Sequence, residues 1–118
     1  MQKNVVVLTV LAIVIAALPA AAEDVTGKWT FNVQLDMGGG SPTFVFQQDG
    51  EDLSGTYSGQ AGDAQLTGTV KGNQIQFSFE STFGTVTYEG TIEDDGTMKG
   101  TADYGGQASG TWTAKRAE

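Results

Sequence analysis

From Gly27 to the end of the chain, apolar and polar side chains alternate, and one short phrase keeps returning on that alternation. The phrase is apolar–x–Gly–Thr. It reads Leu53-Ser54-Gly55-Thr56, Leu66-Thr67-Gly68-Thr69, Tyr88-Glu89-Gly90-Thr91 and Met98-Lys99-Gly100-Thr101, with a weaker copy at Ala108-Ser109-Gly110-Thr111. A period of two puts every second residue on one face of an extended strand. Glycine spread through the chain, with β-branched residues between, disfavours helix. The region after residue 23 has no sustained helical period, so an all-β chain is expected.

The alternation divides into eight segments. Trp29, Phe31, Val33 and Leu35 share one face of the first, Gly27 to Leu35. Phe44 and Phe46 mark the second, Pro42 to Gln48. Leu53, Gly55, Tyr57 and Gly59 define the third, and Leu66, Gly68 and Val70 the fourth. Ile75, Phe77 and Phe79 lie in the fifth, and Val86, Tyr88, Gly90 and Ile92 in the sixth. Met98, Gly100, Ala102 and Tyr104 mark the seventh, and Ala108, Gly110, Trp112 and Ala114 the eighth. Turn-forming residues separate them, such as Asp49-Gly50, Gly72-Asn73, Asp94-Asp95-Gly96 and Gly105-Gly106. Short links force neighbours to pair antiparallel in chain order. A meander of eight strands removes both raw edges by pairing the first with the last. The expected fold is an eight-stranded antiparallel up-and-down barrel.

The first, second and fifth segments carry the rings Trp29, Phe31, Phe44, Phe46, Phe77 and Phe79 and no inward glycine. The other five carry inward glycine, so rings from one side are expected to sit over bare backbone on the other. The outward positions are Thr, Ser, Gln, Lys, Asp and Glu nearly throughout. An outer-membrane barrel needs the reverse, an apolar outside and a polar lumen. No membrane span is expected.

The start of the chain has a separate logic. Lys3 precedes an apolar run from Val5 to Leu18, and Pro19-Ala20-Ala21-Ala22 supplies an A-x-A site. This pattern predicts a signal peptide over 1–22, cleaved before Glu23. The run is shorter than the ~20 residues of a transmembrane helix. The remainder, 23–118, is expected to be one domain of 96 residues. It has no Cys, which fits export into a bacterial periplasm or exterior better than a disulfide-stapled secretion. Without Lys3 it carries five Lys/Arg against 14 Asp/Glu, a net charge of −9. Such a surface disfavours nucleic acid and anionic membranes as partners.

Gly27-Lys28-Trp29 opens the first strand and Arg116 follows the last. This resembles the lipocalin (calycin) superfamily, in which a G-x-W on the first strand is covered by a basic residue from the end of the barrel. The Gly-Thr phrases and the ending Thr113-Ala114-Lys115-Arg116 also resemble small bacterial lipocalin-like domains. The resemblance implies Lys115 or Arg116 stacked on Trp29; the competing reading is a plain core Trp and a solvated basic tail. Leu53-Ser54-Gly55-Thr56-Tyr57 and Gly110-Thr111-Trp112 are similar to avidin-type barrels. A biotin site needs several Trp, and only Trp29 and Trp112 are present, so biotin is not expected.

Catalysis is not expected. The chain has no His and no Cys, which removes the usual general base and thiol nucleophile. Asp49, Glu51, Asp52, Asp94 and Asp95 fall in turns, where they are structural choices, and they lack calcium-loop spacing. No metal and no cofactor is expected. Asp36-Met37-Gly38-Gly39-Gly40-Ser41 reads as the one flexible connection, either a lid over the barrel mouth or a slack hairpin loop. Two functions remain open. The barrel holds a small apolar or aromatic ligand, with Tyr57, Tyr88, Tyr104 and Trp112 lining the site and Trp29 and Phe31 at its base. Alternatively it is a solid structural or interaction barrel with no small-molecule ligand.

Overall fold

The inward side chains named above draw the first and last strands together. The computed structural model describes residues 23–60 and 62–117; the expected signal peptide, 1–22, lies outside the described residues. Among them are nine strands: β1 (Gly27–Leu35), β2 (Gly38–Gly40), β3 (Thr43–Asp49), β4 (Asp52–Gly59), β5 (Gly62–Lys71), β6 (Gln74–Ser81), β7 (Gly84–Ile92), β8 (Met98–Tyr104) and β9 (Ala108–Arg116). Pairing follows chain order from β3 to β9, and β1 pairs antiparallel with both β3 and β9. The β1–β9 ladder runs from Trp29↔Arg116 to Leu35↔Gly110 and closes the barrel.

The ninth strand, β2, corrects the reading of Asp36–Ser41 as a flexible connection. Asp36 and Met37 form a two-residue turn, and Gly38–Gly40 fold back to pair with Leu35, Gln34 and Val33. The β1–β2 and β1–β3 ladders share one register, broken only opposite Ser41-Pro42. The Phe31 N–H donates to the Pro42 carbonyl at 3.1 Å. Proline has no N–H to return that bond, so the ladder lapses for two residues. β2 and β3 are thus one barrel stave broken at a proline, and the stave count is the expected eight. The turn is also fixed to β9: the Asp36 N–H donates to the Ser109 carbonyl at 3.0 Å. Three consecutive glycines read as a strand breaker, yet here they permit close pairing; a Cβ on Gly39 would lie 2.8 Å from the Val33 carbonyl oxygen.

The repeated glycines serve a tighter constraint than room for rings. A Cβ on Gly100 would stand 1.9 Å from the Glu89 carbonyl oxygen, and one on Gly110 would stand 1.9 Å from that of Gln34. The neighbouring strand's own backbone occupies the space, as strong coiling of a narrow barrel demands. Gly90 does accommodate a ring as well: its missing Cβ would meet Trp112 Cζ2 at 2.5 Å. Gly90 pairs with Gly100, and Gly100 with Trp112, so the indole lies across two bare backbones.

The middle of the barrel is filled. Phe31 stacks on Trp112 at 4.8 Å between centroids, and Phe77 on Tyr88 at 5.0 Å. Phe44 touches Phe31, Phe77 and Tyr88 with centroids within 5.4 Å. Offset and edge-on ring pairs of this kind add to the gain from burying their area. Among the described residues the exposed large apolar side chains are Val45 on β3 and Met37 in the β1–β2 turn.

Candidate functional site

The two ends of the barrel are built differently. One end is stoppered by residues 23–26. Val25 is buried, and its N–H donates to Gln48 Oε1 at 2.9 Å. The Trp29 indole N–H donates to the Val25 carbonyl at 2.8 Å. The Arg116 guanidinium lies 4.8 Å from the Trp29 ring and donates to the carbonyls of Thr26 and Asp24 at 2.8 and 2.9 Å. Asp24 in turn is held below the usual carboxylate range by hydrogen bonds from Thr26. Gly27 is needed beneath this clamp: a Cβ there would stand 3.1 Å from Arg116 Nη1, and its φ is +131°. Of the two readings left open for Trp29, the stacked one is observed, with Arg116 rather than Lys115 as its partner.

The other end is open. A cup of about 550 Å³ lies inside the turns that join β1 to β2, β4 to β5, β6 to β7 and β8 to β9. Leu35, Met37 and Phe83 form its apolar rim, with Gln60 between strands β4 and β5. The segment Gly38–Pro42 makes one wall. Tyr57, Tyr104, Val33 and Ala108 line it lower down, all buried. No side chain in this lining is charged.

The floor is a phenol cluster. The Tyr88 and Tyr104 hydroxyls lie 2.5 Å apart, and Tyr104 also shares a hydrogen bond with Tyr57. Burial pushes the Tyr104 phenol up to about 12, and pushes Tyr88 well above the usual phenol range. Removing water penalises a phenolate more than a phenol, so all the chemistry here is that of neutral hydroxyls. The Tyr57 hydroxyl reaches the cup wall: a Cβ on Gly59 would meet it at 2.5 Å and Pro42 Cβ at 3.0 Å.

Of the six residues expected to form a ligand site, Tyr57 and Tyr104 line the cup. Tyr88 supports them from beneath through its hydroxyl. Phe31 and Trp112 are stacked in the filled middle, with the Trp112 N–H donating to the Thr101 carbonyl at 2.8 Å. Trp29 belongs to the stoppered end. Sequence reasoning missed Leu35, Phe83 and Ala108 as lining residues. Each stands at or just beyond the end of a strand, where alternation says which way a residue points but not how far the filled zone extends. Met37 is within reach of the sequence, because the segment that holds it reads as a lid over the mouth or a slack hairpin loop.

Asp95, one of the turn acids, is occupied within its own turn. The Asp95 carboxylate accepts from the N–H and hydroxyl of Thr97 at 3.0 and 2.7 Å, which holds it below the usual range. Among the described residues no three Asp, Glu, His or Cys side chains gather closely enough to hold a metal ion. No model of a protein family matches this sequence, and no curated protein matches it.

Proposed function

We propose that this is an exported, lipocalin-like binding protein that takes one small, mostly apolar ligand into the cup at its open end. The carrying observation is the contrast between a filled barrel and a single-ended cavity of about 550 Å³ with an apolar rim over hydroxyls. Small-molecule sites have volumes of roughly 300–1,000 Å³, apolar walls and a few convergent polar groups. The Arg116–Trp29 clamp and the meander topology support the lipocalin-like reading. The n-region, apolar run and A-x-A of residues 1–22 support export. A cup with no thiol, imidazole or ionised side chain in its wall supports binding rather than catalysis.

A library of small aromatic compounds screened by protein-observed NMR tests the reading. Shifts should concentrate on Leu35, Met37, Gly38–Gly40, Tyr57 and Tyr104 and leave Trp29 and Val25 unmoved. Leu35→Trp, which fills the rim, should abolish them. Shifts spread over the outer sheet, or none at high micromolar ligand, would favour the solid barrel with no small-molecule ligand.

A further inference from the structure

We infer that the cup selects an uncharged ligand, a ring body bearing a hydroxyl or carbonyl oxygen that meets the Tyr57 and Tyr104 hydroxyls, and that it turns anions away. This rests on the ligand-binding reading above. Three observations converge on it. First, the lining contains no cation and no carboxylate. An ion entering the cup loses water and gains no counter-charge, which costs several kcal/mol.

Second, acids stand at both ends of the barrel, but the cations are confined to one half. All five cations of residues 23–118 belong to the stoppered half. Lys28 and Arg116 flank Trp29, Lys115 pairs across from Thr30, Lys71 ends β5, and Lys99 binds Glu93 at 3.3 Å. The open half has Asp36, Asp63, Glu80 and Asp103 at or near its strand ends and no Lys or Arg. An anion approaching the mouth therefore meets only like charge, an effect strongest at low salt.

Third, the polar groups offered at the floor are phenols. A hydroxyl both donates and accepts, so it satisfies an alcohol or a carbonyl equally. Neutral groups of this kind have no advantage for a carboxylate or an ammonium that must shed its hydration shell.

Isothermal titration of the purified protein at neutral pH and low salt, with three ligands of one ring size, tests the inference. These are 1-naphthol, 1-naphthoate and 1-naphthylmethylamine. Naphthol should bind about tenfold or more tighter than either ion, the worth of one well-made hydrogen bond without an ionic penalty. A charged ligand that binds as tightly as naphthol overturns the selectivity while leaving ligand binding intact. Binding of none of the three overturns both. Tyr57→Phe should weaken naphthol about three- to tenfold and leave 1-methylnaphthalene unchanged. Gly59→Ala, whose methyl would displace the Tyr57 hydroxyl, should do the same with the hydroxyl still present. If either variant, folded by its melting curve, weakens naphthol and methylnaphthalene equally, the hydrogen-bond assignment is wrong.

Discussion

The stoppered end and the open end are made from the same staves, yet they divide the work of the molecule between them. At the stoppered end, Val25, Trp29 and Gln48 satisfy one another's polar groups, and Arg116 covers the Trp29 ring while bonding the Thr26 and Asp24 carbonyls. At the open end, β2 pairs with β1 alone, its three residues are glycines, and Met37 at the hairpin tip is 63% exposed. Packing at one end is what allows the other to be hollow. A barrel this narrow holds side chains or one small ligand, and here the two uses lie in series along its axis.

The comparison breaks most visibly at Trp29. Trp29→Ala removes the largest ring of the stopper, leaves the Val25 carbonyl without its donor and takes away the surface beneath Arg116. The expected loss is about 3–5 kcal/mol in urea denaturation. A loss below about 1 kcal/mol would show that the stopper does not hold the barrel. Alkaline pH attacks the other end. The Tyr104 phenol sits near 12 when folded and at its ordinary value of 10.0 when unfolded. The folded state thus favours the protonated form. Its stabilising share is complete below pH about 10 and is lost as pH climbs through about 12. Phenolate absorbance from Tyr88 and Tyr104 should therefore rise together with loss of the barrel's circular dichroism. A phenolate signal that completes while the fold persists would place these hydroxyls in water.

Arg116→Ala should cost less, about 1–2 kcal/mol, because an exposed cation–π contact and two surface hydrogen bonds are each worth at most about 1. Arg116→Lys should not recover it fully, since one ammonium cannot span Thr26, Asp24 and the Trp29 face together. Equal melting temperatures for the wild type and both variants would remove Arg116 from the clamp.

Alternation made the barrel legible, because a period of two with short turns leaves few topologies. The inward faces of Trp29–Val33, Ile75–Phe79 and Val86–Tyr88 are buried as the pattern requires. Two features were hidden for physical reasons. Gly38–Gly40 carry no side chains, so they have no alternation to read, and strand formation there depends on the Leu35 and Val33 backbone opposite. The axial position of the cavity was hidden too. It depends on where rings stop meeting across the barrel, a sum over partners from strands distant in sequence such as Phe31 with Trp112. The six aromatic residues expected at the ligand site are visible in the sequence as one set. Their division into stopper, filling and floor is not, because register between strands decides it.

The smallest effect on stability should come from Met37, and that smallness is what sharpens the contrast. Its side chain is mostly in water, and its neighbour in the turn, Asp36, is fixed by a backbone bond to Ser109 that a substitution leaves in place. Met37→Ser should change the unfolding free energy by no more than about 0.5 kcal/mol. The same change removes apolar surface from the rim of the cup, so naphthol affinity should fall about two- to fivefold, the worth of a partly buried methylene or two. Two measurements on one variant, a urea midpoint and a titration, thus separate holding the fold from holding the ligand. Trp29→Phe supplies the converse, with its ring still packed, a lower midpoint and unchanged naphthol binding. A Met37→Ser protein that melts early, or a Trp29→Phe protein that stays folded but binds poorly, would mean that the two ends are energetically coupled through the ring stack of Phe31, Phe44 and Tyr88.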